Sequence, residues 1–336
     1  MIEPPLPFVS LVVLVYNQQS YVGEAVEAAL AQSYPRLEII VSDDGSTDGS
    51  VDIVKEILSR YKGPHQTFLN VNQRNLGIGR HVNQVFELAN GELIVLAAGD
   101  DISLPDRISR TAARWTNSDE RPSAVYCRAQ AIDAVGRNRG SFATALDTLE
   151  PRADRLIGYD SPSQLLLLGA CAAYSPEVMR HFGPLKRELD VEDIPLTVRA
   201  SLLGGVATIN EALVQYRVNV SVWLPRKLAG EDFDRHSKRL RHRIRANYWV
   251  SRQILADVRS SSDQFATQAA KRRHTAAVFA LHTSKRRRFA LGYYISAAKR
   301  SGHWRSALWP GLLLALPRLH RFLFWLKTLR HRGIHT

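Results

Sequence analysis

The stretch FVSLVVLVY at 8–16 is a nearly unbroken run of apolar and β-branched residues. Such a run marks a strand covered on both faces, as the central strands of a parallel sheet are. Ser20 then opens a helical pattern through about residue 33, with Val22, Val26, Ala29 and Leu30 on one face and Pro35 just beyond its end. LEIIVSD at 37–43 reads as a second strand. Asp48 is placed to cap a second helix, in which Val51, Val54, Ile57 and Leu58 recur at three-and-four spacing. A strand near 67–71, a helix near 77–89 and the strand ELIVLAA at 92–98 complete a βαβαβαβ order. The predicted fold is α/β, a doubly wound sheet flanked by helices, whose ligands gather beyond the carboxyl ends of its strands.

From about 120 to 230 the rhythm is irregular, with a strand predicted at 124–132, helices at 161–168 and 192–203, and a strand at 212–218. After Gly230 the pattern is helical, with turns near 260–263, Ser284 and Ser301-Gly302. Charge divides the chain at the same place. Residues 231–336 hold 23 Lys and Arg against 5 Asp and Glu, while residues 1–230 hold 22 against 27. Two domains are expected: a catalytic one at 1–230 and a basic helical region at 231–336 whose net charge of +18 suits an anionic partner.

Composition closes off other classes. With 45% apolar and 23% charged residues among 336, the chain is folded and globular. Its two cysteines, Cys127 and Cys171, make no disulfide framework, zinc cluster or CxxC pair. The start MIEPPLPF lacks the basic and apolar segments of a secretory signal, so a reducing, cytoplasmic setting is expected. Gly77-Ile78-Gly79 is a lone GxG, and no glycine-rich turn follows the first strand, which argues against a dinucleotide-binding Rossmann enzyme.

Three acidic features fall where an open α/β sheet holds ligands. SDDGSTD at 42–48 ends the second strand, AGDD at 98–101 ends the fourth, and VED at 191–193 precedes an apolar helix. Each has a plain reading: turn-forming residues, a solvated turn, and acids favoured at a helix N-terminus. Adjacent carboxylates such as Asp100 and Asp101 repel each other unless a cation, a hydrogen-bonding sugar or solvent compensates.

In order, VVLVYNQQSYVGEAVEAALAQSY, IIVSDDGSTDGS, NLGIG, NGELIVLAAGDD, PDR, VEDIPLTVRA and VQYRV resemble the inverting family 2 glycosyltransferases, which have the GT-A fold. The resemblance covers 8 to about 220 and implies a nucleotide-sugar donor. It places Tyr16 against the nucleobase and Asp44 as acceptor of a hydrogen bond from the base. A carboxylate suits the imide N–H of uracil or thymine, which favours UDP- or dTDP-sugars. By the same resemblance Asp100 approaches the ribose, Asp101 holds Mg²⁺ or Mn²⁺ across the diphosphate, and Asp193 is the general base. The chain departs from the family at two points. Val82 replaces an Arg, leaving the diphosphate or base contact to Arg74 or Arg80 or removing it, and Asn219 replaces the His of a YRxH run. The stretch LLLLGACAAYSPEVM at 165–179 resembles the family's acceptor side and reads equally as apolar core around Cys171. A nucleotide-sugar-binding or nucleotidyl-transferring protein would share Tyr16 and Asp44 without needing Asp193.

The tail leaves three readings. Its longest uncharged run, 306–317, is twelve residues, short of the roughly 18 to 20 that span a bilayer. Trp304, Trp309, Phe322, Phe324 and Trp325 interleaved with basic residues suit a helix lying in an anionic membrane interface. A self-packed helical bundle with a solvated basic face is the second reading. Nucleic acid is the third and is not expected, because no recognised module accompanies the charge. Interfacial binding implies peripheral attachment at the inner face of the membrane and a lipid-linked saccharide acceptor.

Overall fold

The computed structural model describes residues 6–117, 121–142, 151–158, 168–218, 220, 232–285 and 320–321. Its strands are β1 (Val9–Val15), β2 (Leu37–Asp43), β3 (Gln66–Val71), β4 (Leu93–Ala98), β5 (Ile102–Ser103), β6 (Ala124–Ile132), β7 (Asn138–Phe142), β8 (Ala172–Tyr174) and β9 (Val206–Arg217). The helices are α1 (Val22–Leu30), α2 (Ser50–Arg60), α3 (Ile78–Leu88), α4 (Arg107–Thr116), α5 (Ala153–Gly158), α6 (Glu177–Arg180), α7 (Asp193–Leu203), α8 (Phe233–Asp257) and α9 (Gln264–Lys285). One mixed sheet holds all nine strands in the order β3-β2-β1-β4-β8-β6-β9-β5, with β7 paired on β6. The first four run parallel, while β8 is antiparallel to both β4 and β6. This is the α/β sheet that the strand and helix alternation predicts.

Position in the sheet explains the sequence of each strand. β1 lies between β2 and β4, and all seven of its residues are buried, as are all seven of β2. β3 is an edge strand with four of its six residues exposed, so its polar residues do no harm. The predicted strand at 212–218 is the end of the longer β9. Its pairing with β6 runs in step from Ala124↔Val206 to Cys127↔Ile209, shifts at Arg128↔Ala212 and again before Ala129↔Val214, so 210, 211 and 213 fall outside the ladder and interrupt the period.

α4 was not foreseen, because RISRTAARWT is polar overall. Its buried face, Ile108, Thr111, Ala112 and Trp115, has the helical spacing but uses small residues at two of the four positions. Ser284, near which a turn is expected, is itself in α9, which is described through Lys285, and its hydroxyl donates to the Leu281 carbonyl at 2.7 Å; the residues directly after 285 lie outside the described ones. The predicted helix at 161–168 lies outside the described residues except for Leu168, as do Ser301-Gly302, Asn219 and the five tail aromatics named above.

Two compact units emerge: 1–156 with 165–224, and 157–164 with 225–336. In the second, α8 starts with Asp232 accepting from the Arg235 amide at 2.7 Å, and Ile244, Val250, Ile254, Ala266, Ala270 and Ala277 are buried. Arg273 is buried there too, donating to the Ile157 carbonyl at 3.3 Å, and burial lowers its pKa to about 10. Among the described residues no helix is long and apolar enough to cross a membrane.

Candidate active site

The loops after β1 and β2 are sewn together by their own polar side chains. Asn17 donates its amide to Ser46 Oγ at 2.8 Å and accepts from the Thr47 amide at 2.8 Å. The Gln18 amide donates to Ser50 Oγ at 2.9 Å, and the Gln19 amide to Asp48 Oδ2 at 3.1 Å. Asp48 also accepts from the Ser50 amide at 3.0 Å, but the cap of α2 is Gly49 and no side chain bonds to that cap, so the expected cap falls one residue early: the turn after β2 takes one residue more before the helix opens. Asp43 holds the turn by accepting from the amide and hydroxyl of Ser46. Gly45 has φ of +73°, and a Cβ there would lie 2.7 Å from the Asn75 amide nitrogen, so only glycine lets the two segments approach.

Asp44 is fully buried. One oxygen accepts from Asn72 Nδ2 at 3.0 Å and the Leu76 amide at 2.9 Å, and the other from the Gly77 amide at 3.0 Å. It therefore anchors the segment leading into α3. Behind it, His81 Nε2 and Ser42 Oγ are 2.7 Å apart, and burial lowers the imidazole pKa against the pull of Asp44 and Asp43.

The turn after β4 carries the carboxylate pair, with Asp100 6% and Asp101 4% exposed. Asp101 Oδ1 accepts from the Arg217 amide at 2.8 Å, while its Oδ2 is buried with no donor among the described residues. Burial, reinforced by Asp100, raises the Asp101 pKa well above the ordinary carboxylate range, and burial raises that of Asp100 too. A buried carboxylate oxygen without a donor is what a divalent cation would satisfy. Among the described residues no three His, Cys, Asp or Glu side chains gather as a cage. The donor set thus fits an ion that takes one or two carboxylates and completes its shell with substrate phosphate and water, as Mg²⁺ commonly does.

Asp193 is the first residue of α7, half-buried, with Oδ1 accepting from the Ile194 amide at 2.7 Å. Burial and then Glu192 raise its pKa well above the usual carboxylate value. Glu192 lies against Gly169, where an added Cβ would collide with its carboxylate. The acids meet electrically at Tyr216 of β9: after burial, the fields of Asp101, Asp100, Cys171 and Asp193 all raise its phenol pKa. The sequence placed these three acids on separate motifs. The fold brings them within electrostatic reach of one side chain.

Arg74 and Arg80 are exposed, and Val82 is buried in α3. The cation beside the acids is Arg217, which the sequence marked only within the VQYRV run. It is 1% exposed, and its Nε donates to the Asp100 carbonyl at 3.0 Å. Nη1 donates to the carbonyls of Asp133 and Ala134 at 3.1 and 3.2 Å, and Nη2 to Glu24 at 2.8 Å. Its Cζ stands 4.7 Å from the Tyr21 ring centroid. Arg107 of the PDR run is buried likewise, donating to the carbonyls of Leu96 at 2.7 Å and Ala170 at 2.6 Å. A charged residue inside a motif that no ligand explains was the available signal for both.

The sequence pattern of glycosyl transferase family 2 matches residues 10–182, and the chain belongs to that family. The Bacillus subtilis (strain 168) protein EpsH is 28% identical over 226 residues, 64% of this chain and 62% of that protein. The alignment thus spans less than two thirds of the relative. S. aureus TarS 1–349, solved in complex with UDP-GlcNAc, superposes with a TM-score of 0.54 at 17% identity, covering 89% of this chain and 90% of that one. The mannosyltransferase PcManGT of Pyrobaculum calidifontis, solved with GDP-Man and Mn2+, gives 0.55 at 16%, covering 93% and 88%. The fold is the GT-A type expected.

Arg217→Ala removes bonds to three carbonyls and leaves Glu24, 57% exposed, to solvent. Stability is expected to fall by about 3 kcal/mol, since charge-assisted bonds in a buried site are lost and a cavity remains. Urea unfolding measures this, and a loss under about 1 kcal/mol would deny Arg217 its central place.

Proposed function

We propose that the chain is an inverting glycosyltransferase that moves a sugar from a UDP- or dTDP-sugar to an acceptor hydroxyl. The observation that carries the reading is the buried pair Asp100 and Asp101 after β4, with an Asp101 oxygen to which no described residue donates, while Asp193 opens α7 within electrostatic reach of the same Tyr216. Two of these acids suit the diphosphate end of a donor and the third suits the acceptor.

The chemistry follows from charge. Held on Asp101 with Asp100 beside it, Mg²⁺ or Mn²⁺ would supply positive charge against the departing diphosphate. Asp193 takes the proton of the acceptor hydroxyl as the new bond forms. A base kept in a partly dry site beside Glu192 has its proton affinity raised, which brings it closer to the operating pH. With base and leaving group on opposite sides of the anomeric carbon, displacement is in line and inverts it. Asp44 has three of a carboxylate's roughly four acceptor positions filled by Asn72, Leu76 and Gly77, which leaves room for one imide N–H. Tyr16, at the end of β1, offers its ring to the base, and Asp100 reaches the ribose.

The acceptor we assign is a lipid-linked saccharide at the inner face of a membrane, as in assembly of a surface polysaccharide. Support comes from the basic region, where Arg235, Lys238, Arg241, Arg245, Arg252 and Arg259 are exposed along one helix and its last turn. Each basic group close to an anionic surface contributes about 1 kcal/mol. The full chain is expected to float with vesicles of phosphatidylglycerol and phosphatidylcholine and not with phosphatidylcholine alone, and to release partly at high salt. Absence of binding to the anionic vesicles would favour a soluble acceptor.

A screen of nucleotide sugars with Mn²⁺, read by nucleotide release, tests the reaction class. In the donor it selects, Asp193→Asn should lower turnover by at least 100-fold while donor affinity in calorimetry stays within a few-fold. Turnover of this variant near the wild-type rate would remove Asp193 as the base.

The raised carboxyls set a pH dependence with a definite sign. Without metal, Asp101 keeps its proton above the ordinary carboxylate range, so the stability it contributes is full at low pH and falls as pH rises through its folded pKa. Metal must displace that proton. Mn²⁺ with UDP should therefore raise the melting temperature more at pH 8 than at pH 5.5, and Asp101→Asn should abolish the difference. An equal shift in both proteins would place the metal elsewhere.

A further inference from the structure

A chain of three hydroxyls runs through the core beneath Asp193. Tyr174 Oη of β8 is 2.5 Å from Tyr126 Oη of β6, which is 2.6 Å from Thr197 Oγ1 of α7. Thr197 Oγ1 donates to the backbone carbonyl of Asp193 at 2.6 Å. That carbonyl can only accept, so the direction of the whole chain follows. Thr197 spends its proton on Asp193, Tyr126 donates to Thr197, and Tyr174 donates to Tyr126.

The three side chains are 0 to 3% exposed, and the two rings meet edge to face at 6.1 Å. Phenylalanine at either tyrosine would fill almost the same space. It would also avoid placing a hydroxyl in a dry core, which is unfavourable unless fully paired. Packing alone therefore does not call for the two phenols. Their joint effect is to tie the first turn of α7, where the carboxylate of Asp193 is aimed by the Ile194 amide, to two strands of the central sheet. Chained donors also strengthen one another in a low-dielectric interior.

Resting on the reading of Asp193 as the base, we infer that Tyr126, Tyr174 and Thr197 are positioning residues that fix this base against the sheet. They touch no substrate and act through the Asp193 backbone. A base displaced by a fraction of an ångström loses in-line geometry without altering donor binding.

The test compares Tyr126→Phe, Tyr174→Phe, their double variant, Thr197→Val and Thr197→Ser in the full chain. UDP release from UDP-GlcNAc with Mn²⁺ serves as the probe reaction. Expected are a fall in kcat of about tenfold in each Phe variant, with KM for the donor within twofold. The double variant should be no slower than either single one, because one broken link breaks the chain. Thr197→Ser keeps the hydroxyl and should retain the wild-type rate, whereas Thr197→Val should not. A readout without substrate accompanies it: amide exchange across 193–199 should quicken about tenfold in Tyr126→Phe while the melting temperature moves by only a few degrees. Wild-type exchange in that segment overturns the inference, whether or not the probe turns over. So does additive loss in the double variant, or a loss in Thr197→Ser equal to that in Thr197→Val. If Asp193→Asn is inactive and Tyr126→Phe keeps full kcat, the positioning role alone fails. If Asp193→Asn keeps full turnover, the base assignment itself fails.

Discussion

A buried guanidinium organises the first compact unit. Arg217 joins α1 through Glu24, the carboxylate turn through the Asp100 carbonyl, and the connection between β6 and β7 through Asp133 and Ala134. Its own amide holds Asp101. Removing a charge from water is expensive, and only a full set of partners offsets the penalty. Having found that set, Arg217 can occupy one geometry alone, and the loops that supply its acceptors inherit it. The same side chain places positive charge behind two acids whose proximity would otherwise drive them apart. Arg107 does this on a smaller scale, tying the end of β4 to Ala170.

The polar motif after β2 shows how much of a signature is architecture. Asp43, Ser46, Asp48 and Ser50 are occupied with backbone amides and with each other, and Asn17 and Gln19 supply the matching contacts from the loop after β1. The plain reading of turn-forming residues holds for most of the segment, and only a remnant of Asp44 is left over for a ligand. After β4 the balance is reversed. Asp101 keeps a buried oxygen to which no described residue donates.

Much of the sheet was legible because the central strands have no freedom in composition. β1 and β2 are covered on both faces, and their apolar runs matched the observed bounds within a residue or two. β6 was found at its full length by the same signal. The failures have physical causes as well. α4 hides behind small buried residues, β9 behind its bulge, and β8, three residues long, is too short for any periodicity to register. Of the site, the acids could be seen one at a time, since each follows a strand or opens a helix. Their meeting at Tyr216, the hidden Arg217 and the hydroxyls of Tyr126, Tyr174 and Thr197 depend on pairings between distant segments, for which one sequence holds no signal.

The bond between the Arg217 amide and Asp101 spans 116 positions along the chain. β9 inserts between β6 and β5, so the strand that completes the carboxylate turn is made late and lands inside the sheet instead of at its rim. Closing so long a loop carries an entropy penalty that must be met before its contacts return anything. During synthesis the acids after β2 and β4 therefore emerge well before the residue that organises them. Until β9 docks, two neighbouring carboxylates stay in water, where their charges are tolerated. They can be buried together only when Arg217 arrives, so burial of the carboxylate turn waits on the docking of β9.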